Sequence, residues 1–498
     1  MGRINNSMKK GNFTNRYYVS MIACLIAVLT LSLALTGCGE VELKDFIKAM
    51  TEEYKKEDII YVRGDGNNDN PGTKGEPKRD IWAAIEYFVE NNKSGEVHVA
   101  EGLYEVNFSE NIYIQMAEGV SMYGGFDPDF GTRNPELYVS DIQDISSTGG
   151  ETLEPNRAIE CGSGITNTTV IDGFTINGGG GVYSSAICCK NSSLTIANNR
   201  INGGNGSVRS FGIANLNNSN PVIFENQEIN GGSSASVSIG IWNYNESSSL
   251  IQYNFIIGGS GPRTGGIVNE SNSEPVINGN TIHGGTAVVQ SNGIQNLTSS
   301  PAIRNNTIFG GTGVSSSFGI MCFFEGTSQI QNNTIDGGTA GGTSQGIYLG
   351  SLDTPSGSTP KIQNNIIFVS SGTTRYCIHE DSNNGAHAQV IENNDLWNSG
   401  ATTLYRDYTG NTYSDDIIII NGLAWADANE SADPVFNNIY GDDMLPDTME
   451  DNDWHLTSGS PVRYSARDLS SEFTTDKDDV TRTGNGAIGW SMGAYERD

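Results

Sequence analysis

The sequence predicts an all-β protein: a parallel β-helix solenoid with three short strands per coil, its N-terminal end closed by an amphipathic helix. Three observations carry that reading. Isoleucines recur with a period in the high twenties, at Ile176, Ile201, Ile229, Ile256, Ile282, Ile308, Ile335 and Ile367, and Leu396 closes the series. A fixed period of that size marks stacked units that share one continuous core. Each unit also carries three phrases: Asn-x-Ile-x-Gly-Gly (Asn280 to Gly285), Gly-Ile-x-Asn (Gly293 to Asn296) and Pro-x-Ile (Pro301 to Ile303). These segments are too short to pair with one another as hairpins, but each can pair with its equivalent one coil above and below. Finally, Asn215, Asn243, Asn269 and Asn296 share one position in the unit. Equivalent residues in a parallel stack lie about 4.8 Å apart, so these amides can form a ladder. A buried amide left unpaired costs ~1–3 kcal/mol.

The flanking positions extend the pattern. The asparagine column continues as Cys161 and Cys189 at one end and Cys322 at the other. In-register Cβ vectors run parallel, so Cys161 and Cys189 are expected as stacked thiols; a bridge is the other reading. With Cys188 and Cys377 the coils hold five cysteines, an odd number with no disulfide framework. The paired glycines supply turns of positive φ, where a Cβ would clash. A leucine-rich solenoid would need leucine where isoleucine and valine stand.

In chain order, residues 1–37 read as a targeting segment. Arg3, Lys9, Lys10 and Arg16 form a basic start, and an apolar run from Val19 leads to Leu35-Thr36-Gly37-Cys38. This matches a bacterial lipobox, with Cys38 carrying the lipid on the mature chain; the apolar run is a little short for a membrane span. Removing residues 1–37 removes those four bases and no acid, and takes the net charge from −30 to −34. Such a balance argues against nucleic acid and against basic-patch docking on anionic lipid. Residues 38–58 read as a charged tether, 59–135 as an N-terminal cap with the first coils, 136–397 as the repeats, and 398–498 as last coils with a C-terminal cap.

The cap has its own signature. A strand, Ile60-Tyr61-Val62, precedes an Asp/Asn/Gly-rich loop that ends in Pro71-Gly72-Thr73. Ile81 to Phe88 is then apolar at helical spacing. That helix would cover sheet edges that otherwise aggregate. The cap, the coil period, the three-segment unit and the asparagine column resemble the right-handed parallel β-helix superfamily of pectate-lyase-like proteins. Asp433-Pro434-Val435-Phe436, Trp454 to Pro461 and Gly486-Ala487-Ile488-Gly489 resemble its closing segments. The resemblance, with the general handedness of parallel crossovers, implies a right-handed coil. It implies little about activity, because this fold hosts many.

A lyase of this superfamily must neutralise a uronate carboxylate, abstract a proton and protonate the leaving oxygen, usually with Ca²⁺ or clustered Arg and Lys plus a base. The coils hold few bases. The Asp-Asp, Gly-His-Gly and Arg-x-Lys blocks of a polygalacturonase-type hydrolase are missing from them. One constellation fits elimination: Tyr348 and His379 follow equivalent isoleucines in neighbouring coils and should project outward about 5 Å apart, with Arg375 and Glu380 close in sequence. An outward aromatic row, Phe309, Phe368 and Trp397, is a candidate platform for sugar rings, unless the C-terminal segment covers it; Trp242 is a further candidate. Asp65, Asn67 and Asp69 stand at calcium-loop offsets, although Asn70 replaces the expected glycine and Pro71 follows. Asp476, Asp478 and Asp479 are a weaker set. Ca²⁺ is the one cofactor these residues suggest.

The sequence thus favours a lipid-anchored protein of the cell envelope, at the outer membrane or cell surface. It would be held to the membrane through Cys38 and would bind glycan or serve structurally. A polysaccharide lyase using Tyr348 and His379 is the alternative, and nucleic acid is not a partner.

Overall fold

The computed structural model describes residues 58–151, 153–351, 357–381, 385–398, 402–439, 441, 452–483 and 489–496. The targeting segment, Cys38, the tether up to residue 57 and residues 486–488 lie outside the described residues. Among the described residues no helix is long and apolar enough to cross a membrane.

Each of the recurring isoleucines forms the centre of a three-residue strand that pairs in parallel with its equivalent in the next coil. Ile176, Ile201 and Ile229 stand side by side in this way, and so do Ile282, Ile308 and Ile335. The result is a right-handed parallel β-helix of about 11 turns. Its three sheets, among the described residues, have 13, 11 and 15 strands. The first carries the Pro-x-Ile phrases, the second the Asn-x-Ile phrases, and the longest the Gly-Ile-x-Asn phrases. Three isoleucine columns, one per sheet, fill the interior and are almost wholly excluded from solvent.

Two side-chain ladders stitch the coils at their bends. The Nδ2 of Asn215 donates to Asn243, that of Asn243 to Asn269, and that of Asn269 to Asn296, at 2.8–2.9 Å. This ladder ends on the sulfur of Cys322 at 3.5 Å. A longer ladder lies between the 13- and 11-stranded sheets. It runs through Asn199, Asn226, Asn254, Asn280, Asn306, Asn333, Asn365, Asn394 and Asn429, each joined to the next. Cys161 and Cys189 are in register, and all five described cysteines are free and buried.

The ends are closed differently. Helix α1 (Ile81–Glu90) buries Ile81, Ala84, Ile85 and Phe88 against the first strands. At the other end the chain adds strand Thr403–Arg406 to the long sheet and the short helix α2 (Ile417–Asn421). It then turns back along the outside. Trp454, Leu456, Val462, Leu469, Trp490 and Met492 pack onto Phe309, Ile366 and Phe368 of the 11-stranded sheet. The buried guanidinium of Arg482 pairs with Glu496 at 3.2 Å and donates to Oδ1 of Asn305 at 2.9 Å.

This packing corrects the expected aromatic platform. Phe309 is 0 % and Phe368 2 % exposed, and Trp397 is half-buried beside Phe368 and Phe436. The row faces outward from the coils, but the chain's own apolar C-terminal segment covers it.

Candidate functional site

One register column runs along the outer side of the long sheet. Successive coils place Trp242, Val268, Gln295, Met321, Tyr348, His379 and Arg406 side by side. Each follows an inward isoleucine, or Tyr405 in the last coil, so alternation sends it outward. The column beside it holds Phe211, Ile239, Asn292, Phe318, Gln345 and Tyr376. It lies two positions before the isoleucine and ought to face the core. In most coils a glycine in between, such as Gly212 or Gly346, breaks the alternation (Cys377 takes that place before Ile378), and the buried serine before it turns inward instead: Ser210 donates to the carbonyl of Gly203 at 2.9 Å.

The two columns meet in two aromatic groups. Around Trp242 the packing is tight. Its ring stacks on Phe211 with centroids 4.8 Å apart, its Nε1 donates to Glu270 at 2.9 Å, and it is 1 % exposed. Trp242 is therefore the centre of an apolar patch with Leu216, Ile239 and Val268, and not an open platform.

Farther along, the rings are half-buried and reach solvent. Tyr348 lies 5.3 Å from His379 and 5.5 Å from Phe318, centroid to centroid, and Phe323 lies parallel to it at 6.4 Å. Tyr376 packs on His379 at 4.7 Å. Polar groups border this cluster. The Tyr348 hydroxyl donates to Oδ2 of Asp381 at 3.2 Å, and Nδ1 of His379 lies 2.9 Å from Oε1 of Gln345. An amide oxygen only accepts, so the proton sits on Nδ1 and Nε2 keeps the lone pair. Burial, then the Asp381 charge, holds the Tyr348 phenol well above its usual range. Burial, helped by Arg406, pushes His379 down to about 4. At neutral pH the pair is a protonated phenol beside a neutral imidazole.

Other candidates take different places. Arg375 is in register with Ser344, in the row of the inward serines; the arginine in register with His379 is Arg406. Glu380 points inward, where it accepts the amides of Ala388 at 2.8 Å and Tyr408 at 3.0 Å; burial raises it to about 7. Asp65 pairs with Arg63 at 2.5 Å, and Oδ1 of Asn67 accepts the Asp69 amide at 3.1 Å, so these side chains are used in holding the loop. Asp476 likewise accepts the amides of Asp478 and Val480. Among the described residues no three His, Cys, Asp or Glu side chains gather as a metal site requires. Neither acidic loop gathers the expected Ca²⁺ cradle: Asp65 is paired with Arg63, Asn67 and Asp476 cap their own turns, and Asp478 is paired with His455.

Sequence reading missed Asp381, Gln345, Arg406 and Tyr376 as neighbours of Tyr348 and His379. It also missed a cluster on the 13-stranded sheet, where Tyr61, His98 and Tyr123 are in register. There His98 stacks on Phe126, and its Nε2 lies 2.5 Å from Oε2 of Glu96. Phe130 packs over this group and Arg133 pairs with Asp172, which fixes the loop after Phe126.

A family described as proteins of unknown function, DUF1565, matches residues 64–272. No curated protein matches the sequence. Among solved structures, the chain is similar to the A-module of the mannuronan C-5 epimerase AlgE4 of Azotobacter vinelandii. Identity is 16 %, coverage 66 % of this chain and 93 % of that one, and the TM-score 0.39. Pectate lyase Pel9A aligns at 13 % identity over 88 % and 96 % of the two chains, TM-score 0.38. XylC in complex with xylose aligns at 9 % over 88 % and 98 %, TM-score 0.41.

Proposed function

We propose that the protein binds an extended glycan on the outer face of its long sheet, through the half-buried rings of Phe323, Tyr348, Tyr376 and His379. It would do so as a protein of the cell envelope anchored through lipid on Cys38. The observation that carries the reading is the ring cluster itself. Aromatic rings that stand side by side, half-buried, and are bordered by Asp381 and Arg406 offer stacking surface and hydrogen bonds together, which is what a pyranose ring with its hydroxyls requires. Lipidation rests on the basic start, the apolar run and Leu35-Thr36-Gly37-Cys38.

Binding fits the proton inventory better than catalysis does. A base for elimination works best with a pKa near the operating pH, and His379, at about 4, is a weak one. Tyr348 holds its proton and is engaged with Asp381. β-Elimination by this pair is the second reading, favoured by the 5.3 Å ring contact and by Arg406 beside His379.

The test is a panel of neutral and acidic polysaccharides offered to the full chain in detergent, with retention by affinity electrophoresis read alongside absorbance from new unsaturated uronate ends. Retention that Tyr348→Ala removes, with no rise in absorbance, is the expected result. Absorbance that rises and is lost in His379→Ala would make the protein a lyase. No retention by any glycan would overturn the binding reading. Mass spectrometry of the N-terminal peptide, with Cys38→Ser as control, tests the anchor.

A further inference from the structure

A second surface lies apart from the ring cluster, at the bend between the 11-stranded and long sheets. A straight trough of about 560 Å³ runs there along the solenoid axis. One wall is a register column: Asn177, Asn202 and Asn230 in consecutive coils, followed by Ile257 and His283. The other is Asn205, Ser233, Ser260 and Thr286, also one per coil. The floor is glycine, at positions such as Gly204, Gly232 and Gly259, where φ lies between 75° and 82°. A Cβ on Gly259 would collide with the carbonyl oxygen of Gly232, so the floor carries no side chains for a structural reason.

Three features narrow what the trough can hold. Its backbone is already spent: the amides of Ser233, Ser260 and Thr286 donate to the carbonyls of Gly204, Gly232 and Gly259 in the coils before them, at 2.8–2.9 Å. A peptide adding itself as a strand would find no partners. Part of the side-chain lining is spent as well: Nδ2 of Asn177 donates to Asp141, Asn230 bonds Glu228 and the Gly232 amide, and Ser233 donates to Asn205. What remains to be offered is Oδ1 of Asn177, the amide of Asn202, Nδ2 of Asn205 and the hydroxyls of Ser260 and Thr286. The lining is also uncharged. In a chain that is 17 % Asp, Glu, Lys and Arg, none of these residues lines the trough. Lastly, the same surface is occupied farther along. Beyond His283 its asparagine wall continues as Phe309, Asp336 and Phe368, and there the chain's own C-terminal segment lies across it, with Trp454 against Phe368. The column is apolar mainly where the chain covers it and mainly polar where it is open.

We infer that the open trough binds an uncharged, extended polysaccharide parallel to the solenoid axis, about one sugar per coil. A flat, β-1,4-linked ribbon advances by roughly one strand spacing per sugar and turns over at each linkage, so the same hydroxyls face the trough at every second sugar and would meet equivalent amides and hydroxyls two coils apart, at steps of about 10 Å. A glycine floor lets the ring lie close to the backbone. This site is independent of the ring cluster and would select for hydroxyl spacing, where the cluster would select for ring faces.

The experiment is calorimetric titration of the full chain with cellohexaose, mannohexaose and hexagalacturonate. The expected result is that at least one of the two neutral hexasaccharides binds and hexagalacturonate does not compete for it. Ser260→Trp, which puts a large side chain on the exposed wall without touching the core, should abolish that binding. Asn177→Ala with Asn202→Ala should weaken it at least fivefold, and Tyr348→Ala should leave it unchanged. Circular dichroism melts establish that each variant is folded; Ser260→Trp decides the matter if the double variant is not. The proposal is overturned if neither neutral hexasaccharide binds at millimolar concentration. It is equally overturned if binding survives Ser260→Trp, or if Tyr348→Ala abolishes it, which would move the neutral sugar to the ring cluster.

Discussion

Oδ1 of Asn280 accepts two hydrogen bonds from Asn254 in the preceding coil, one from its backbone amide at 2.9 Å and one from its Nδ2 at 3.0 Å. The bend is therefore held by a side chain that replaces a missing backbone partner. Asn280→Ala would leave the buried amide of Asn254 without an acceptor, and such a group costs about 1–3 kcal/mol beyond the lost contact. Denaturant unfolding should show a fall of roughly 2–4 kcal/mol. A fall below that of an exposed alanine substitution such as Asn202→Ala would mean that the ladder is not structural.

Stability should also fall as pH rises from mildly acidic values. Burial raises Asp336 to about 6 and Asp395 to about 8, the latter with its Oδ1 accepting the amide of Ala432 at 2.9 Å. Glu380 is raised to about 7. A carboxyl whose folded pKa exceeds its unfolded one stabilises the fold fully below the unfolded pKa, near 4, and this contribution is lost as pH climbs through the folded pKa. The melting temperature should therefore drop between pH 5 and pH 9, and Asp395→Asn, which mimics the protonated acid, should reduce that drop. An unchanged slope in the variant would remove Asp395 from the account.

His455 gives a second, local titration. Its Nδ1 lies 2.6 Å from Asp453 and its Nε2 2.7 Å from Asp478. The hydrogen bond to Asp478, and then that to Asp453, raise its pKa above the usual value. The raised pKa means that its stabilisation is present below about 6.5 and disappears as pH passes the folded value. The group is partly exposed, so screening keeps the effect to about 1 kcal/mol or less. His455→Gln should make the covering C-terminal segment more sensitive to limited proteolysis at pH 6 than wild type, and equally sensitive at pH 9. A variant equally resistant at pH 6 would show that the pair does not hold the segment.

At the ring cluster, Tyr348→Phe and Tyr348→Ala separate stacking from hydrogen bonding. Phenylalanine keeps the contacts to Phe318 and His379 and loses only the bond to Asp381. Retention of glycan should survive Tyr348→Phe within a few-fold and fall about tenfold in Tyr348→Ala, since ring contacts contribute on the order of 1 kcal/mol each. Equal losses in both would assign the binding to the hydroxyl.

What the sequence revealed, and what it hid, follows from the geometry of a solenoid. Contacts between coils repeat, so the register of Tyr348 with His379 and the ladder from Asn215 to Asn296 can be counted along the chain. Contacts that break the period cannot. The alternation rule fails at Gly346 and again at Cys377, so Gln345 and Tyr376 stand on the outer side where simple parity would turn them to the core. Asp381 and Arg406 belong to no recurring phrase. The covering of Phe309 and Phe368 by Trp454 and Trp490 depends on a segment far away in sequence that has no rhythm of its own. Trp242 was legible as an outward residue, but its burial depends on Phe211 across a coil boundary.

The stacking of equivalent coils has a consequence for how such a protein changes over generations. Each coil along the open trough adds one more step of the same length, and each coil of the long sheet adds one more outward position, because both are columns of one register. Duplication or loss of one unit would therefore alter reach without altering chemistry. Sequence drift at the outward positions would alter chemistry without altering reach. The molecule behaves as a graduated ruler, whose scale is fixed by the backbone and whose markings can be rewritten one at a time.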